Sequence, residues 1–182
     1  GRSQNAGGLG GDPAGLEAAE WAIAEDMRVN MTLCFSQEQA AAVHRATRGA
    51  HQGDVFVSPF VGRLDDIGEN GMDLIKNILR MYREDRGHVE VLSASIRTLD
   101  HFLCSLAYGA DIVTAPAKIL FEWADNGMSI PEPNYVYDTK NLAPIAFKNI
   151  ALDGDWRDLH IAHPLTDKGI ERFATDWNAL IV

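Results

Sequence analysis

Cysteine is scarce in this chain. Cys34 and Cys104 are the only two in 182 residues, each within an apolar run and without CxxC spacing. That excludes a disulfide scaffold and a thiolate metal cluster. It leaves two buried free thiols, which suit a reducing compartment such as the cytoplasm. Long hydrophobic runs are missing too. None approaches the roughly 20 residues that a helix needs to cross a bilayer, so no membrane span is expected. The N-terminus shows no basic region followed by an apolar one, so a secretory signal is not expected either. Basic residues are outnumbered 26 to 16 by acidic ones, for a net charge of -10. This argues against nucleic acid or an anionic membrane as partner. It does not forbid a small anionic substrate, because one local pair of arginines can reverse the field within a cleft. No GxGxxG follows an apolar run, and no GxxxxGK[ST], HExxH or GxSxG occurs. The six histidines show no metal-ligand spacing, and the pair His160 and His163 falls in an irregular stretch. No metal site is expected.

What is present is an ordinary globular composition, 46% apolar and 23% charged, long enough for one domain with a substantial core. Residues 1–13 (GRSQNAGGLGGDP) are glycine-rich and aperiodic, and read as a flexible leader foreign to the domain. Residues 14–182 form that domain. Helical texture over Ala14–Glu25 gives way to an apolar strand at Arg28–Phe35, then a helix from Ser36 to Thr47 with Ser36 and Gln39 as a capping-box start. Strands come next at Val55–Pro59, Val89–Ser95 and Asp111–Thr114. They alternate with helices at Gly71–Glu84, Thr98–Ala107 and Pro116–Asn126. Met72, Ile75, Leu79 and Tyr82 form one stripe of the Gly71–Glu84 helix. Pro131–Ile161 is aromatic, proline-bearing and without a period: an ordered but irregular excursion. A last helix spans Leu165–Leu180, with Thr166 as its N-cap and Ile170, Phe173, Trp177 and Leu180 on one stripe.

Four strands, each preceding a helix, imply parallel βαβ units buried on both faces. A (β/α) barrel and an open doubly wound sheet both fit. In either, ligands bind at the carboxyl ends of the strands. There the sequence places Asn30 and Thr32 two apart on the first strand, Ser58, Phe60 and Arg63 after the second, and Ser95 and Arg97 after the third. Each has a structural explanation. Asn30 and Thr32 can satisfy neighbouring backbone, and Arg63 and Arg97 can pair with Asp65, Asp66 or Asp100. Together they suit another purpose, because two guanidinium groups can fork a phosphate while serines and an amide hold hydroxyls.

The same residues carry a resemblance. Asn30-Met31-Thr32-Leu33-Cys34-Phe35-Ser36, Ser58-Pro59-Phe60-Val61-Gly62-Arg63, Ala94-Ser95-Ile96-Arg97, Gly109-Ala110-Asp111 with Thr114-Ala115-Pro116, and His163-Pro164-Leu165-Thr166-Asp167-Lys168-Gly169 occur in that order. They resemble the motifs of the transaldolase family, which includes fructose-6-phosphate aldolases, over its C-terminal portion. The resemblance implies an α/β fold: about the last four units of a TIM-type (β/α)8 barrel plus a C-terminal helix. It implies an enzyme that transfers a dihydroxyacetone unit between sugar phosphates through a lysine Schiff base. No cofactor is implied, and the chain is expected to form a homo-oligomer in the cytoplasm. Asn30 and Thr32 would be catalytic, with Asn30 on the intermediate and Thr32 holding a proton-relaying water. Ser58, Phe60, Arg63, Ser95 and Arg97 would bind substrate, and Phe60 leans toward transfer over simple aldol cleavage. The family's lysine registers on Gly8, so the nucleophile is absent there. Lys76, Lys118, Lys140, Lys148 and Lys168 match no motif. The chain is therefore expected to be inactive alone. The alternatives are a fructose-6-phosphate aldolase-like enzyme, or a non-catalytic half-barrel that binds sugar phosphate or pairs with itself.

Overall fold

The computed structural model describes residues 5–85, 87–139 and 141–181; Lys140 and the first four residues of the expected leader lie outside them. One parallel sheet runs β1 (Asn5–Gly10), β2 (Arg28–Cys34), β3 (Val55–Pro59), β4 (Val89–Ser93) and β5 (Ile112–Val113), each strand beside the next. A doubly wound sheet reverses its strand order at a switch point. This one does not, so the α/β architecture is that of a partial TIM-type barrel. Helices α1 (Pro13–Ala24), α2 (Gln37–Ala46), α3 (Val61–Asp65), α4 (Gly71–Asp85), α5 (Leu99–Tyr108), α6 (Ala117–Asp125) and α7 (Pro164–Leu180) complete it. The four expected strands are all present, the first shorter by one residue and the third and fourth by two.

The two faces of the sheet differ. Val29 and Met31 of β2, with Val55, Val57, Val89 and Val91, are buried against the helices. Their alternates Asn30 and Thr32 are only half-buried, as are Phe56, which pairs with Asn30, and Glu90, which pairs with Phe56. The α4 stripe Met72, Ile75, Leu79 and Tyr82 is buried as expected. Both cysteines are buried free thiols, pushed up to about 12 for Cys34 and about 11 for Cys104 by burial.

The expected leader is, in its described part, a strand. Residues 5–10 form β1, parallel to β2, with Gly8 opposite Asn30 and Gly10 opposite Thr32. Three of its six residues are glycines, so no side-chain alternation announces a strand. Backbone pairing alone makes it one. Asp12 then caps α1 by accepting from Gly15 N–H at 3.2 Å, with Pro13 at the first turn.

The end of β2 anchors the last helix. Leu33 takes φ 57°, which breaks the ladder with β3 and frees its carbonyl. The Thr166 hydroxyl donates to that carbonyl at 2.9 Å. Thr166 is therefore not the N-cap of α7. Pro164 starts the helix two residues earlier, and His163 Nδ1 accepts from Leu165 N–H at 3.2 Å. Gln39 ties the segments together. Its Oε1 accepts from Phe35 N–H at 2.8 Å, and its Nε2 donates to Ile161 O at 3.1 Å and Thr166 Oγ1 at 2.8 Å, with Gly11 O at 3.3 Å. Ser36 caps α2 through Gln39 N–H as expected, but the Gln39 side chain does not complete the reciprocal box. Beyond Ile170, the residues of α7 are exposed. Phe173, Trp177 and Leu180 are exposed, so only Ile170 of the expected stripe packs against the core.

Pro131–Ile161 is irregular, as expected, apart from one 3-10 turn at Trp156–Asp158. Side chains of the helices fasten its backbone as a strap. Gln37 both donates to Lys148 O and accepts from Lys148 N–H. Asn77 donates to Ile145 O, Asp73 accepts from Ile145 N–H, and Arg45 donates to Ala151 O and Asp155 O.

These contacts set two expectations for stability. Replacing Gln39 with Leu strands Phe35 N–H and the Ile161 carbonyl in the interior. Urea unfolding should show a loss of about 3 kcal/mol, the combined cost of roughly two buried unsatisfied groups. His163 is held below its ordinary value by burial, against the raising influence of Glu69 and Asp167. Its unfolded form therefore binds more protons, and stability falls as pH drops below about 6.5. Asn also caps helices, so His163→Asn should keep α7 and show a smaller drop in melting temperature than the wild type between neutral and mildly acidic pH.

Candidate functional site

The half-buried face of β2 and β3 carries the first part of the site. Ser58 Oγ donates to Asn30 Oδ1 at 2.7 Å, which orients the amide so that its nitrogen remains a donor. Neither that nitrogen nor the Thr32 hydroxyl has a hydrogen-bond partner among the described residues. A Cβ at Gly8 would lie 3.5 Å from Thr32 Cγ2, an ordinary contact. Position 8 thus accepts a Cβ directly beside Thr32.

The second part comes from the loops after β3 and β4. Gly62 N–H donates to Ser95 O at 3.1 Å, and Val61 N–H to Ala94 O at 3.1 Å. A Cβ at Gly62 would collide with the Arg97 side chain and with Ser95 O. Glycine is required for that approach, and it carries Arg63 and Arg97 to one place. Ser95 sits there with φ 60°, a strained conformation for a residue with a Cβ. The Arg63 guanidinium lies over the Phe60 ring at 5.1 Å and the Phe173 ring at 5.7 Å. Partial burial first, then Arg172 and Arg97 close by, lower its pKa from the ordinary arginine value, while Asp66 opposes. Arginine nonetheless stays charged in proteins, so this corner is electropositive in an acidic chain.

A buried relay supports Arg97. Gly71 N–H donates to Asp65 Oδ1 at 3.0 Å. His101 Nε2 lies 2.8 Å from Asp65 Oδ2, and its Nδ1 accepts from Arg97 N–H at 3.4 Å. His101 is buried, and Tyr137 of the strap packs edge-on against it. Arg97 itself forks onto Asp66, with Nη2 at 2.7 Å and Nη1 at 3.4 Å. Of the carboxylates weighed as partners, Asp66 is therefore the one used. Asp65 takes His101, and Asp100 accepts from the Tyr135 hydroxyl at 2.7 Å.

The structure brings Asn30 and Ser58 into contact, places Thr32 beside Gly8, and gathers Phe60, Arg63, Ser95 and Arg97 at one corner. Sequence reasoning misses His101 and Arg172. A histidine three residues after the cap Thr98 gives a weak sign of an inward position. Arg172 gives none, because its place depends on α7 docking over β2. No lysine lies on a described strand, and Lys148 pairs with Glu38 at 2.6 Å. A cavity of about 390 Å³ lies beside the relay, lined by Asp65, Thr98, Asp100, His101 and Tyr137 among others. It includes none of the predicted site residues, which form a surface at the strand ends.

A family model described as Transaldolase/Fructose-6-phosphate aldolase matches residues 10–181. The chain is 37% identical over 163 residues to a probable transaldolase of Brucella ovis, covering 90% of this chain and 55% of that protein. It is 37% identical over 165 residues to a probable transaldolase of Roseiflexus sp., covering 91% and 56%, and 36% identical over 163 residues to one of Sinorhizobium medicae, covering 90% and 55%. The chain belongs to the Transaldolase/Fructose-6-phosphate aldolase family, a family of enzymes. It spans about half the length of the curated relatives it matches.

The Asp66–Arg97 pair competes with any oxyanion at this corner. Removing the carboxylate with Asp66→Asn should tighten binding of inorganic phosphate by up to about fivefold, the factor for an exposed ion pair worth about 1 kcal/mol. Isothermal titration calorimetry would measure it, and unchanged or weaker binding would count against the competition.

Proposed function

We propose that this chain holds a sugar phosphate at its strand ends, as the substrate-binding part of a transaldolase-type site, and that it lacks a Schiff-base amine. The observation that carries this is the approach of the two arginine loops across Gly62. It packs the Arg97 side chain and Ser95 O against Gly62, with Arg63 near enough to feel the Arg97 charge, while the Asn30 amide and Thr32 hydroxyl stay available. Arg63, Arg97 and Ser95 take the phosphate, Asn30 and Ser58 take hydroxyls, and Phe60 shapes the channel between. Thr32 holds the water that relays protons. The reaction is transfer of a dihydroxyacetone unit between the pairs sedoheptulose 7-phosphate/glyceraldehyde 3-phosphate and erythrose 4-phosphate/fructose 6-phosphate. An amine attacks the ketose carbonyl and water leaves. The carbon–carbon bond then breaks as the adjacent hydroxyl loses its proton, its electrons pass to the iminium and an aldose leaves; the bound unit adds to an acceptor aldehyde, which takes up a proton, and water hydrolyses the imine to release the new ketose and free the amine. Phosphate binding positions those carbons but cannot replace the amine. The family's lysine registers on Gly8, which sits opposite Asn30 with space beside Thr32.

A second reading rests on the sheet. Phe56 and Leu92 are half-buried on the Asn30 face, and Ile112 is exposed beside Leu92 in register. The edge strands β1 and β5 each have one unpaired side among the described residues. Such edges invite pairing, so the chain completes its barrel with a second copy in the cytoplasm. A single monomeric species in sedimentation velocity would remove this second reading.

Incubation with fructose 6-phosphate and borohydride, read by intact-protein mass, tests the first. The wild type should gain no adduct, whereas Gly8→Lys should gain one. A stable adduct on any wild-type lysine would overturn the claim that the amine is missing.

A further inference from the structure

The strap creates a second cavity, on the outer side of the helices. It measures about 670 Å³ and lies between α4, α5 and residues 133–136 of the strap. That volume falls within the usual range for small-molecule sites. Lys76, Arg80 and Arg83 of α4 all line it, and no carboxylate does so among the described residues. In a chain of net charge -10, three cations around one concavity stand out against their surroundings.

Two of these cations rest on supports that carry no negative charge. Arg83 Nη2 donates to Tyr108 O at 2.6 Å, which fixes one edge of the guanidinium at the C-terminus of α5. Lys76 Nζ lies 5.7 Å from the Tyr108 ring centroid. A carbonyl and an aromatic face orient these groups without removing their attraction for an anion. The Arg80 guanidinium stacks 3.9 Å from the Phe147 ring centroid at the edge of the space. The remaining lining is largely apolar: Leu79, Tyr108, Pro133, Tyr135 and Val136. The Tyr135 hydroxyl is turned to Asp100, so the ring rather than the phenol faces the space.

We propose that this cavity is a second anion site, distinct from the strand-end corner, for a phosphorylated organic anion whose ring or apolar part lies on Tyr108 and Tyr135. The phosphate meets Lys76 and Arg83, with Arg80 at its flank. The strap supplies one wall, which is a role beyond covering the helices.

Titration with adenosine monophosphate, followed by amide chemical shifts and calorimetry, tests this. In the wild type, shifts should saturate at about millimolar ligand and cluster on residues 107–109 and 133–136. Lys76→Gln/Arg83→Gln should weaken that binding at least about tenfold, in keeping with the loss of two charge-assisted contacts. Arg63→Ala/Arg97→Ala should leave it intact while abolishing strand-end phosphate binding. Inorganic phosphate should bind the cavity more weakly than the nucleotide. Absence of saturable shifts on those segments, or shifts lost only with Arg63 and Arg97, would overturn the proposal. The wild-type shift map needs no variant to fold, and the Arg63/Arg97 arm separates failure of this site from failure of the other.

Discussion

One buried amide holds the carboxyl end of the sheet in order. Gln39 lies under the ends of β1 and β2 and against the entry to α7, with polar groups from all three within reach. Buried polar groups must be paired, and an amide offers both donors and acceptors on one short side chain. It helps to dock α7, because the Thr166 hydroxyl that donates to Leu33 O accepts from Gln39 Nε2 on its other side. Once α7 docks, Gly169, Arg172 and Phe173 come close to Arg63. The electropositive corner thus depends on a glutamine that would touch no ligand.

The parts of this arrangement legible in sequence are those with a local cause. Parallel strands such as Val55–Pro59 bury most of both faces, with Phe56 left half-buried, and so read as continuous apolar runs. The α4 stripe shows its period, and Ser36 shows its cap. Strand β1 is hidden because glycine has no side chain to alternate, so only its partner β2 reveals it. The start of α7 is misplaced because Thr166 has the right chemistry for a cap and a stronger long-range use. Its two partners, Gln39 and Leu33, lie more than a hundred residues away. Of the site, the residue types and their strand-end positions are visible. The choice of Asp66 by Arg97, and the support of its backbone by His101, need the loops to be folded.

The corner joins attraction and restraint. Arginines gathered near Gly62 repel one another, and partial burial raises the cost of the Arg63 charge. Asp66 offsets part of that cost, and an incoming oxyanion would take over the same task. The strain at Ser95 belongs to the same bargain, since a left-handed residue there turns its carbonyl to Gly62 and closes the gap between the loops.

The strap shows where structural information resides. Its carbonyls and amides are bound by Gln37, Arg45, Asp73 and Asn77, side chains that belong to α2 and α4. The route of this segment is therefore encoded in helices laid down long before it in the chain. Between Ile145 and Asp155 its own residues can therefore change with little effect on its path, whereas Tyr135, Tyr137 and Trp156 hold it through their own polar atoms and tie the walls they form to the helices beneath.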